Sequence, residues 1–190
     1  TSRALAALLI CQSISPAIAQ LVVTPLHDMV LDSNALVMGT SGNFSRTING
    51  RTFQQDALIT HQGYQYTAWY HNGANQDIYV SRRDLTGNTW ETIDTGYDMI
   101  NGNQTWDSHN AISMGISGDG RIHLAYDHHV DELRYLTTDA GFATSPSSVW
   151  KQATFEPERS SLNENGAPIP KVTYARFTNV GDDLALTYRD

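Results

Sequence analysis

Short apolar and aromatic runs, separated by Gly, Asn and Asp, recur along most of the chain. Residues 64–70 (YQYTAWY) are rich in aromatic and β-branched side chains; the turn residues His71-Asn72-Gly73 follow, and 77–81 (DIYVS) resume the alternation. After Gly87-Asn88 comes Trp90-Glu91-Thr92-Ile93. The order then repeats: 111–116, the turn 117–120, 121–126 and 133–137, with Trp150 beyond a loop. A third copy starts at 172–177, turns at Gly181-Asp182 and continues through 183–188. Period-two alternation bounded by turn residues predicts strands, and helical periodicity is nearly absent beyond Gln20.

Equivalent strands lie roughly 45–60 residues apart, toward the long end of the period for four-stranded propeller blades. A β-sandwich also spaces its strands regularly. The repeated unit of strand, tight turn, strand, loop and strand favours the propeller. The segment from Ser81 to Trp90 also approaches the Asp-box turn of sialidase-type blades, with Asp84 and Gly87 displaced from the usual spacing. The expected fold is therefore all-β, an incomplete piece of about three blades of a β-propeller, since such rings close with about four to eight. An open arc leaves strand edges unpaired, so this piece alone is expected to be unstable or to aggregate.

The N-terminus changes the picture of where the chain works. An apolar run at 4–10 follows Arg3, and Ala17-Ile18-Ala19 precedes Gln20. That is the apolar core and A-x-A cleavage site of a secretory signal peptide. Residues 1–19 are read as that signal with its charged start clipped, and 20–190 as the N-terminal part of a propeller domain. The single cysteine, Cys11, falls within the signal, so the secreted chain would hold no disulfide and no cysteine metal site. Asn43-Phe44-Ser45 and Asn103-Gln104-Thr105 are N-glycosylation sequons, compatible with a secreted, extracellular glycoprotein. No second apolar run of spanning length follows, so no membrane partner is expected. The formal net charge of −8 argues against nucleic acid. It also means that an acidic substrate would have to be held by a few local cations.

Four of the seven histidines, His109, His123, His128 and His129, fall in one stretch. Histidine titrates near neutrality and suits acid–base work or metal binding. His109 precedes one predicted strand and His128-His129 follow the next. A hairpin through the 117–120 turn would bring the start of the first strand beside the end of the second, and His109 beside His128 or His129. His123 lies mid-strand and reads as structural. Zinc lacks a clear third and fourth ligand at the usual spacing.

The run from Asp107 to Tyr135 resembles the BNR-repeat family of seven-bladed propeller polysaccharide lyases, which includes ulvan lyases and rhamnosyl-glucuronate lyases. The resemblance rests on Asp107-Ser108-His109-Asn110, on Asp119-Gly120-Arg121-Ile122-His123, and on a histidine about twenty residues after the first, which makes it His129. It continues through Thr173-Tyr174-Ala175-Arg176-Phe177 and Tyr188-Arg189. It implies seven blades and a β-elimination on a uronic-acid polysaccharide, with His109, His129, Tyr174 and Arg189 catalytic. His129 would be the base, and also a candidate acid; His109 and Arg189 would neutralise the uronate carboxylate; Tyr174 is the alternative acid or base. Asn110, His128 and Trp106 are candidate substrate-binding residues. The chemistry calls for no cofactor, a structural calcium in the central channel is a candidate, and the full-length protein is expected to be a monomer.

Two rival readings remain. A sialidase-like glycoside hydrolase would account for the near Asp-box but gives the histidines no role. A non-catalytic carbohydrate-binding propeller could stack sugars on Trp69, Tyr70 and Trp106.

Overall fold

The computed structural model describes residues 28–37, 48–51, 58–99, 107–151, 155–163 and 165–190. The expected signal peptide, both sequons at Asn43 and Asn103, and Trp106 lie outside the described residues.

Three antiparallel sheets follow one another. The first is a four-stranded meander of β1 (Ile59–His61), β2 (Tyr64–Tyr70), β3 (Asp77–Asp84) and β4 (Trp90–Asp98). The second joins β5 (Ser113–Ile116), β6 (Ile122–Ala125) and β8 (Tyr135–Thr137), with a single bridge from Tyr135 to Arg159 at its outer edge. The third joins β9 (Val172–Val180) and β10 (Asp183–Arg189) with a visitor, β7 (His129–Asp131). β7 lies between β6 and β8 in sequence, yet it leaves the second sheet and pairs with β9. Among the described residues helix is confined to Ile48–Arg51, Ser147–Trp150 and two 3-10 turns. The all-β expectation holds, and every predicted strand is present. The two strands that the pattern missed, β1 and β7, have three residues each.

Tyr66, Ala68, Tyr70, Ile78 and Val80 of the first sheet share one core with Met114, Ile116, Ile122, Leu124 and Trp150. Arg82 is buried within it, its guanidinium over the rings of Tyr64 and Trp150 and paired to Glu91 at 3.1 Å. The second and third sheets approach through Gly115. A Cβ there would lie 2.6 Å from the Cβ of Phe177 and 2.8 Å from Cδ2 of Leu184, so only glycine lets the strands meet. Trp69 and Tyr70, considered from the sequence as sugar-stacking platforms, are 6% and 0% exposed. Their polar tips are spent internally: the Trp69 indole N–H donates to Asp32 and the Tyr70 hydroxyl to the Asn110 carbonyl.

Candidate active site

The β5–β6 register pairs Ser113 with Ala125, so the residues before β5 sit beside those after β6. This is the hairpin juxtaposition expected from sequence. On one side a 3-10 turn, Ser108–Asn110, is capped by Asp107, whose carboxylate accepts the backbone N–H of His109. On the other side the chain passes through Asp127 at φ 61° and Val130 at φ 65°. Aspartate is among the residues that tolerate the left-handed region, but a β-branched valine is not, and such strain collects where a site over-determines the backbone. It turns the chain out of the second sheet so that His129 pairs with Thr173 of β9, and the Val130 N–H reaches the Thr173 hydroxyl at 2.9 Å. Tyr174, the next residue of β9, is itself at φ 59°.

The result is one cluster drawn from four segments. Oδ1 of Asp107 lies 2.6 Å from Nδ1 of His109, and Oδ2 lies 2.5 Å from Nδ1 of His129. The two imidazoles stack with ring centroids 4.0 Å apart and 18° between planes. Nε2 of His109 is 3.0 Å from the Tyr174 hydroxyl. Arg189, opposite Thr173 in the β9–β10 register, holds its guanidinium 4.7 Å from the Tyr174 ring centroid. His109, His129, Tyr174 and Arg189 therefore form a chain of contacts. The Asp107 side chain is 2% exposed, His109 11% and His129 26%, so access increases from the carboxylate outward. Burial alone would raise the Asp107 pKa. The backbone N–H of His109 and the rings of His109 and His129 outweigh that and hold it below the ordinary value.

The remaining residues singled out in the sequence sit elsewhere. His128 is 1% exposed, and its Nε2 accepts the Arg134 backbone N–H at 2.8 Å. Burial, with Arg134 adding to it, pushes its pKa down to about 3. Its ring therefore belongs to the interior, where a polysaccharide does not reach. Asn110 is fully buried, and neither atom of its side-chain amide has a hydrogen-bond partner among the described residues. His123 bonds the Tyr135 hydroxyl at 2.5 Å and the Ser117 hydroxyl at 2.9 Å, and burial lowers its pKa to about 4. These are the contacts of a structural histidine. Beneath the cluster, Arg134 pairs with Asp127 at 2.8 Å and with Glu158 at 3.0 Å, and Glu158 also accepts the Tyr126 hydroxyl. This network braces the turn that carries His129. The sequence alone does not mark Asp107 as a site residue, although it stands two positions before His109 in Asp107-Ser108-His109-Asn110.

Asp107, His109 and His129 also offer three ligand atoms within 4.8 Å of one another. Two ligands on one zinc ion, each bonded at about 2.1 Å, lie roughly 3 Å or more apart. The Nδ1–oxygen distances of 2.5 and 2.6 Å are those of hydrogen bonds, so these groups hold one another. Calcium wants six or more oxygens, which this donor set does not supply.

The sequence pattern described as "BNR repeat-containing family member" matches residues 64–190, which carry the whole cluster. The chain belongs to the BNR repeat-containing family. No curated protein matches it significantly. Among solved structures it resembles the polysaccharide lyase Uly1, with a TM-score of 0.62 and 22% identity over 83% of this chain and 40% of that one. It also resembles a PL25 ulvan lyase, with a TM-score of 0.53 and 16% identity over 82% and 35% of the two chains. The same enzyme bound to -[GlcA(1-4)Rha3S]- matches at 0.53 and 15%. At these identities the likeness is one of fold, and this BNR-repeat chain spans about two fifths of the length of the lyases it matches.

Proposed function

We propose that the chain is the N-terminal part of a secreted, seven-bladed β-propeller that cleaves a uronic-acid polysaccharide by β-elimination, at a rhamnosyl-glucuronate or ulvan-like linkage. The observation that carries this reading is the convergence of His109, His129, Tyr174 and Arg189, which are distant in sequence and meet in one partly open cluster. The fold-level likeness to polysaccharide lyases supports it.

Elimination removes the proton at C5 of the uronate, forms the C4–C5 double bond and expels the glycosidic oxygen from C4. The C5 proton is weakly acidic until the neighbouring carboxylate is neutralised, because its loss builds a second negative charge. Arg189 suits that role, since a guanidinium fork matches a carboxylate. His129, the more exposed imidazole, takes the C5 proton. Tyr174 supplies a proton to the departing oxygen, and the guanidinium over its ring favours the phenolate left behind. The family resemblance implies that His109 is a second neutraliser of the carboxylate. Its contact with the Tyr174 hydroxyl suits it better to taking a proton from water at Nε2 and passing it to the phenolate once product has left. No step asks for a metal.

A hydrolase would need a second carboxylate across the scissile bond or a tyrosine nucleophile among several arginines. The one carboxylate of this cluster is engaged by two imidazoles. The test is incubation of the full chain with ulvan and other polyuronates. Unsaturated, ultraviolet-absorbing product is expected, and His129→Ala should abolish it. Reducing ends without absorbance would make the protein a hydrolase; binding without product would make it a carbohydrate-binding module.

A further inference from the structure

We infer that Asp107 is a positioning residue that fixes both histidines as Nδ1–H tautomers, and that its two oxygens are not interchangeable. The inference rests on the lyase reading for its kinetic consequence but not for its structural one. An ionised carboxylate only accepts hydrogen bonds. Each of the two Nδ1 atoms at 2.5 and 2.6 Å from it must therefore carry the hydrogen. That makes Nε2 the basic nitrogen of both neutral rings, and on His109 this is the atom that meets the Tyr174 hydroxyl. The carboxylate is held below its ordinary pKa, so it stays ionised across the neutral range.

The asymmetry comes from the backbone. Oδ1 accepts two donors, the His109 ring and the His109 main-chain N–H at 3.0 Å, whereas Oδ2 accepts the His129 ring. In Asp107→Asn one oxygen becomes an NH2 group. An NH2 at the Oδ1 position would point at the main-chain N–H, donor against donor. The amide oxygen must therefore stay at Oδ1, and the NH2 must face His129. An NH2 can bond Nδ1 of His129 only if that nitrogen gives up its hydrogen, which then moves to Nε2. The substitution thus leaves His109 and its tyrosine unchanged and converts His129 to the tautomer that cannot take a proton at Nε2. Amidating the aspartate behind a catalytic histidine elsewhere lowers kcat on the order of 10⁴-fold through this same change of tautomer.

The test combines spectroscopy and kinetics on the full chain. Nitrogen-15 spectra of the histidine rings are recorded at about pH 9, where ordinary imidazoles are neutral. Signals are assigned with His109→Gln and His129→Gln. In the unsubstituted protein both rings should be Nδ1–H. In Asp107→Asn the His129 ring should switch to Nε2–H while His109 keeps its tautomer. On a polyuronate that the protein cleaves, Asp107→Asn should lower kcat by 10²-fold or more and leave KM within a few fold. An Nε2–H ring at either histidine of the unsubstituted protein overturns the inference, whether or not the variant folds. So does a folded Asp107→Asn in which His129 keeps Nδ1–H. Absence of lyase activity with the predicted tautomers present would sink the lyase reading and leave the inference standing.

Discussion

His128, which is buried, and His123, which is partly buried, lie outside the cluster and make stability depend on pH in a direction that can be worked out. The His128 pKa is pushed from 6.5 to about 3 and that of His123 to about 4, in both cases mainly by burial. Arg134 reinforces the shift at His128. At His123 Arg121 and Arg159 lower the pKa and Asp119 opposes them. The folded chain thus refuses protons that the unfolded chain accepts. Below pH 6.5 the unfolded state binds more protons, so stability is full above that value and falls as the solution is acidified. At pH 5, 1.5 units below the ordinary histidine value, each ring costs about 2 kcal/mol at about 1.4 kcal/mol per unit. Together they cost about 4 kcal/mol between pH 8 and pH 5, a large fraction of a domain's stability. Carboxylates held below their ordinary values, such as Asp107 and Glu91, add little here because their contributions fade only near and below pH 4. Urea unfolding followed by tryptophan fluorescence between pH 8 and pH 5 measures the effect. His128→Gln is the perturbation: its amide oxygen can accept the Arg134 N–H, and it does not titrate. The variant should lose about 2 kcal/mol less than the parent over the same interval. A variant with the full acid dependence, or a parent with none, would refute the argument that burial of these rings excludes the proton.

Two further outcomes are expected. Gly115→Ala drives a methyl group into Phe177 and Leu184, and should cost about 1–3 kcal/mol in urea unfolding without changing the cluster's chemistry. Val130→Gly removes an exposed β-branched residue from φ 65°; relief of the left-handed strain outweighs the entropy of a glycine, so thermal unfolding should show a gain of up to about 1 kcal/mol.

Strands with clean alternation and turn residues on both sides, such as 64–70 and 183–188, were legible in the sequence because each forms locally with its neighbour. β7 was not. Its three residues pair with a strand more than forty positions away, across a register shift and beside left-handed residues, and no local pattern encodes that. The choice between His128 and His129 shows the same limit. The two are adjacent in sequence, yet one ring is buried against Arg134 and the other stacks on His109. Hairpin logic could not separate them; the motif spacing pointed to His129. Tyr174 and Arg189 looked like ordinary strand residues apart from the family resemblance, because their meeting depends on β10 returning beside β9. Asp107 stands in the same motif as His109, but a carboxylate's value here lies in bridging two partners, which a linear reading does not reveal. Trp69 is buried because the segment around Asp32 folds back over a face that alternation alone would leave in water.

The departure of β7 from its own sheet bears on how such a molecule can evolve. His109 and His129 are encoded within one repeat, but His129 is hydrogen-bonded into the next, beside Tyr174. The cluster therefore straddles a module boundary. Duplicating, deleting or exchanging single repeats, the easiest moves for a tandem architecture, would part the imidazoles from the phenol. The two repeats that hold the cluster must be inherited as one block, while the remaining sheets stay free to drift.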